Sequence, residues 1–144
     1  MEKTSLTFKT IIALGGGAVS YLFGGWSPLL GVLLAFVTID YLSGVFAAGK
    51  AGKLSSNVGL WGIAKKIFIF AIVAVAHLID QVLATDALPI LLRDAAIFYY
   101  LANEVLSITE NFGSLGVPIP PAIIQAVAIL KGKSEVKPSE VMKE

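Results

Sequence analysis

At 144 residues the chain has room for three or four membrane-spanning helices of about 20 residues each, and none for a separate soluble catalytic domain. Hydrophobic residues make up 56% of it and charged residues 15%, with a mean hydropathy of +0.83, which excludes an ordinary water-soluble domain and marks an integral membrane protein. With no cysteine and His77 as the single histidine, there is no disulfide framework, no thiolate nucleophile and no basis for a metal or other cofactor site, and the net charge of +1 conceals a strong segregation of charge along the chain.

The first predicted span covers about 8–26 and closes at the Gly24, Gly25, Trp26, Ser27, Pro28 cluster, a turn signal with an interfacial aromatic. A second covers 29–48 and ends where Lys50 and Lys53 carry the chain into water. A third covers 66–84, and after the short Thr85 and Asp86 connection a fourth covers 88–108. The first two are short or marginal, so a three-span arrangement with a re-entrant first segment stays open beside the four-span one. Pro118, Pro120 and Pro121 then interrupt the helical pattern, and an apolar segment over about 121–131 is too short to span. It is expected on the membrane surface or against the spans, with Ile123, Ile124, Val127 and Leu130 buried. Residues 132–144 read as a charged, disordered tail. The expected fold is thus all-α: one membrane domain over 1–131 followed by that tail.

Lys50, Lys53, Lys65 and Lys66 are read as one loop between spans two and three, whereas the turns near Ser27 and Asp86 hold no Lys or Arg. The Lys-rich loop is therefore expected in the cytoplasm, and with it Lys3 and Lys9 at one terminus and Lys131, Lys133, Lys137 and Lys143 at the other. A signal-peptide reading of the N-terminus, with Ala18, Val19 and Ser20 as the cleavage region, leaves the orientation of the later spans unchanged.

A charge near the bilayer centre costs at least roughly 2.5–3.5 kcal/mol, so charges inside spans should face protein or water. Here they are Asp40, His77, Asp80, Arg93, Asp94 and Glu104. Asp80 and Arg93 fall at similar depth and are expected to form an ion pair. Arg93, Tyr100, Glu104, Ser107 and Asn111 share one face of the fourth span, either lining a hydrated path or oligomer contact, or packing the monomer's own helices. His77 and Asp80 share a face at a spacing of three, where a buried hydrogen bond is favoured over a proton relay. Ala13 with Gly17, Gly16 with Ser20, Gly31 with Ala35 and Gly44 with Ala48 give small-residue pairs suited to close helix packing. Gly44 through Lys50 matches the opening of a phosphate-binding loop, but Ala51 stands where Ser or Thr should bind magnesium, and the segment ends a span rather than joining strand to helix.

Asp40-Tyr-Leu-Ser-Gly-Val-Phe-Ala-Ala-Gly-Lys-Ala-Gly-Lys-Leu-Ser-Ser, followed by Gly59, Gly62, Lys65 and Lys66, resembles the central pattern of the phage-lysis and toxin-secretion holin family. So does the run from Asn103 and Glu104 through Leu106, Ser107, Ile108, Glu110, Asn111, Leu115, Gly116, Pro118 and Pro120. The resemblance implies a non-enzymatic phage or prophage protein that homo-oligomerises in the bacterial cytoplasmic membrane, collapses the proton gradient and releases an endolysin, or in some relatives a toxin. The endolysin would be a functional partner without direct contact, and no nucleic-acid partner is implied. The positions carried over as structural or assembly determinants are Asp40, Gly44, Ser55, Ser56, Gly59, Gly62 and Lys65 from the first pattern, and Glu104, Ser107, Glu110, Asn111, Gly116 and Pro120 from the second. His77, Asp80 and Arg93 join them on intramembrane charge alone. The rival readings are a small ion channel or transporter using His77, Asp80, Arg93 and Glu104, and an accessory subunit docking a larger membrane complex.

Overall fold

The computed structural model describes residues 2–83 and 91–134, which form five helices. They are α1 (Glu2–Phe23), α2 (Pro28–Lys50), α3 (Ser56–Leu83), α4 (Leu92–Leu115) and α5 (Pro121–Ser134). The all-helical class agrees with the sequence reading, and α1, α2 and α3 are long and apolar enough to cross a membrane. At 24 residues α4 has the length, but it carries Arg93, Asp94, Glu104 and Glu110. The marginal span is therefore the fourth rather than the first two. The expected Thr85 and Asp86 connection and the tail beyond Ser134 lie outside the described residues.

Local chemistry sets the helix ends. Ser27 caps α2, its hydroxyl accepting from the Leu30 N–H at 3.2 Å, with Pro28 in the first turn, where a missing N–H costs nothing. The helix stops at Ala51 and Gly52, the latter at φ 68°, a conformation open to glycine. Ser55 caps α3 in the same way, accepting from the Val58 N–H at 3.3 Å. The helix then continues through Lys65 and Lys66, so it begins ten residues before the expected start of the third span. Both lysines belong to a helix and not to a loop, which leaves Lys50 and Lys53 to carry the basic signal of that turn.

The first turn of α4 is capped from outside: Asp80 on α3 accepts the N–H groups of Leu92 and Arg93, each at 2.8 Å. Its last turn closes on Gly116 at φ 81°, with the Val117 N–H returning to the Phe112 carbonyl. The Lys50 ammonium donates to the Ser114 and Leu115 carbonyls, where a cation complements the negative end of the helix. The Pro120 carbonyl accepts from Ile123 and Ile124 to start α5. Ile123 and Ile124 are exposed and not packed on the bundle, which leaves the membrane-surface placement of this segment; Val127 is half-buried, and the Leu130 side chain lies outside the described residues.

The helices α2, α3 and α4 form the bundle, with α4 wedged between the other two and the α2 and α3 backbones farther apart, joined mainly through side chains. Leu30, Leu33 and Val37 of α2, Val73 of α3 and Ile97 of α4 make the core, flanked by Phe23, Ile69, Phe70 and Leu101. This core occupies only the half of the bundle nearest the Ser27 turn. The helix α1 stands outside it, its apolar side chains exposed along most of its length, and touches chiefly α3, with Phe23 set edge-on to Phe70 at 6.4 Å.

Candidate functional site: a mid-span charge triad and its cleft

Asp40 lies twelve residues from Pro28 and ten from Lys50, so at 1.5 Å per residue it sits about 18 Å from one end of α2 and about 15 Å from the other. A carboxylate at that depth requires a partner, and the fold supplies one from each neighbouring helix. Lys66 of α3 pairs with Asp40 and also with both oxygens of Glu104 on α4, at 2.8 and 2.6 Å. The Asp40 and Glu104 side chains are 9% and 5% exposed, against 18% for that of Lys66. Asn111, two turns beyond Glu104, donates its amide to the Asp40 carboxylate at 3.0 Å, to the Asp40 carbonyl at 3.2 Å and to the Ser43 hydroxyl at 3.0 Å. Ser43 in turn donates to the Asp40 carbonyl. Three helices are thus pinned to one another by ionic and amide hydrogen bonds where hydrocarbon would offer none.

Gly44 lies at this contact, an added Cβ there standing 3.4 Å from the Asn111 amide. On α3, Gly62 lies beneath the Tyr41 ring, which comes within 3.3 Å of an ideal Cβ there, and an ideal Cβ at Gly59 would stand 3.7 Å from the Tyr41 hydroxyl. Beside Tyr41 the α2–α3 gap widens into a cleft of about 340 Å³ that runs from Leu54 and Val58 near the Lys50 end to Asp40, Lys66, Ser107 and Asn111 at the triad. Lys65 lies on its wall.

A second polar cluster occupies the opposite end of the bundle. The expected Asp80–Arg93 ion pair does not form: the Asp80 carboxylate is taken by the backbone N–H groups of α4, while the Arg93 guanidinium bonds Asp94 and donates to the Phe23 carbonyl at 2.8 Å. Nor does His77 bond Asp80; its Nε2 meets the Gln81 amide one turn on, at 3.0 Å. The Gly24 backbone, at φ 74°, rests against His77 and Arg93, with His77 Cε1 only 2.6 Å from where a Cβ would stand. Leu33, Val73 and Ile97, all fully buried, lie between this cluster and the triad.

The sequence-selected residues therefore fall into separate groups. Asp40, Glu104 and Asn111 join in one network, with Gly44, Gly59, Gly62, Lys65 and Ser107 around it. His77, Asp80 and Arg93 form the far cluster. Ser55 caps a helix that opens with Ser56, Gly116 and Pro120 shape the α4–α5 connection, and Glu110 faces outward from α4. Of the small-residue pairs, Gly44 lies against another helix, Gly31 meets Trp26 of its own turn, and nothing stands within 4 Å of a Cβ at Gly16 or Gly17. Lys66, the centre of the triad, is not among the expected site residues, since the sequence pattern places it in a loop. The missed signal is the apolar run on both sides of Lys65 and Lys66, together with two carboxylates inside spans that demand a cation.

A family model described as the bacteriophage holin family matches residues 17–132, a stretch that includes the triad, the cleft and the far cluster. An uncharacterised protein of Halalkalibacterium halodurans is 48% identical over 129 residues, covering 86% of this chain and 93% of its own. An uncharacterised protein of Listeria monocytogenes is 48% identical over 122 residues, covering 84% and 85%. A Clostridium perfringens protein, described as an uncharacterised 14.9 kDa protein in the nagH 3' region, is 40% identical over 133 residues, covering 92% and 99%. No solved structure matches the chain.

Proposed function

The chain belongs to the bacteriophage holin family, and from that membership we propose that it oligomerises in the bacterial cytoplasmic membrane into holes that collapse the proton gradient and release an endolysin or a toxin. The family is not one of enzymes, and no catalytic step is assigned to any residue. The proposed orientation places the Lys50–Lys53 turn and both termini in the cytoplasm.

The observation that carries this reading is the triad. In the monomer, Asp40, Lys66 and Glu104 satisfy one another and bond Asn111, in a bundle whose apolar core fills one half of its length. A charged network of this kind is costly to expose to hydrocarbon and cheap to expose to water. Helices that exchange partners in an assembly would turn these groups toward an aqueous lumen, which gives the polar face a reason to exist in a membrane protein without a substrate. The rival reading, a channel or transporter with a continuous polar path through one chain, is disfavoured by the buried Leu33, Val73 and Ile97 between the two polar clusters.

The test is induced expression in a bacterial host while membrane potential and release of a co-expressed cytoplasmic endolysin are followed. The expected result is abrupt depolarisation after a delay, with lysis only when endolysin is present. Unaffected growth at confirmed membrane expression would overturn the reading. Depolarisation without enzyme release would replace the large hole by a small ion-conducting one.

A further inference from the structure

The α2–α3 cleft has a polarity that lipid does not match. Its shallow end, at Leu54 and Val58, is apolar, whereas its deep end, at mid-span, presents Asp40, Lys66, Ser107 and Asn111. An acyl chain entering from the bilayer would place hydrocarbon against the polar end. Water relieves that mismatch, and about 340 Å³ holds on the order of ten molecules at about 30 Å³ each. Beyond the triad the route stops, because Leu33, Val73 and Ile97 are fully buried against one another.

Lys66 is shared by Asp40 and Glu104, so the triad as a whole carries one net negative charge, with Glu104 outside the cleft lining. Lys65 is exposed on the wall and has no hydrogen-bond or ion-pair partner among the described residues. An ammonium at this depth on a lipid-crossing helix is held there at a cost unless it meets water or a counter-anion.

We propose that the cleft is a one-sided aqueous vestibule, which admits small hydrophilic anions from the Lys50–Lys53 end as far as the triad, with Lys65 as the group that selects their charge. The inference rests on the chain crossing a bilayer and not on its assembly into holes, so a failure of lysis would leave it standing.

The chain contains no cysteine, so single substitutions report directly. Ser107→Cys probes the deep end, Val45→Cys the α2 wall of the same cleft, Lys53→Cys the mouth, and Val73→Cys the seal. Each is inserted in sealed vesicles and treated from either side with anionic sulfonatoethyl methanethiosulfonate or its cationic trimethylammonioethyl counterpart. Ser107→Cys and Val45→Cys are expected to react from the side that modifies Lys53→Cys and from that side alone, while Val73→Cys reacts from neither. Relative to Lys53→Cys, the deep position should favour the anionic reagent several-fold, and adding Lys65→Gln should erase that preference. Silence at both cleft positions while Lys53→Cys reacts, or reaction from the opposite side, overturns the vestibule. A cationic preference, or an anionic one untouched by Lys65→Gln, overturns the assignment of Lys65. Because two helices are sampled, a variant that fails to insert on one leaves the other decisive.

Discussion

Two carboxylates share one ammonium at mid-span, so the three substitutions that dismantle the triad are not equivalent. Lys66→Met leaves Asp40 and Glu104 buried without a cation, a loss of about 3–5 kcal/mol for breaking a buried pair from one side. Asp40→Asn keeps the shape and the Asn111 contact while Lys66 retains Glu104, and should cost markedly less. The triple variant Lys66→Met, Asp40→Asn, Glu104→Gln removes every charge and should recover most of what Lys66→Met loses. Thermal unfolding of the detergent-purified variants checks the order, and a triple variant no more stable than Lys66→Met would show that the ion pairs are not what holds the helices. Asn111→Leu tests the amide half of the network: it removes the bonds to Asp40 and Ser43 and should cost about 1–3 kcal/mol, read by the same measurement. If lysis follows from exchange of these contacts, both destabilising variants should shift its onset.

Among the elements, α1 is tied to the bundle chiefly at its C-terminal end, by the Arg93 bond to the Phe23 carbonyl, the Phe23–Phe70 contact and the seat of Gly24 on His77. Gly24→Ala would put a methyl group 2.6 Å from His77 Cε1 at a φ of 74°, where side chains are rarely accommodated. The expected result is release of α1 with the α2–α4 bundle intact, measured as loss of disulfide trapping between cysteines placed at Phe23 and Phe70; trapping at the unaltered rate would show that the end of α1 tolerates the shift. Asp80→Ala should instead loosen the first turn of α4, by about 0.5–2 kcal/mol for the loss of an N-terminal cap. These contacts show where sequence reading stops. The apolar runs, the Gly24–Pro28 cluster and the proline cluster identify helices and breaks between them, because those signals are local. Errors arise at charged residues. Lys65 and Lys66 look like a loop beside a span, although the helical pattern continues through them, and Asp80 looks like a partner for the Arg93 guanidinium, although the backbone N–H groups at the start of α4 claim it first. Which acceptor a side chain meets depends on where a distant helix begins, and composition carries no such information.

Across the whole molecule the polar features stack along the bundle axis: cleft, triad, apolar layer, far cluster. That Asp40, Glu104 and Asn111 need polar partners is legible in the sequence, because polar groups inside spans must be satisfied, whereas the separation from His77, Asp80 and Arg93 appears only once Leu33, Val73 and Ile97 are packed between them. That separation has a consequence for permeability. A single chain should hold the membrane potential, and only assembly should discharge it, as long as the layer stays dry. Val73→Thr keeps the volume of the side chain and places a hydroxyl in the layer, lowering the penalty for water there. At expression levels below the lysis threshold it should produce a slow loss of membrane potential with no endolysin release, followed by a potential-sensitive dye, while Val75→Thr on the exposed side of the same helix should not. Equal behaviour of the two variants, with both inserted at the level of the parent chain, would mean that the layer is not the barrier and that the potential is held elsewhere in the structure. A leak confined to Val73→Thr would separate two properties that a holin must combine: a monomer that is tight to ions, and an assembly that is not.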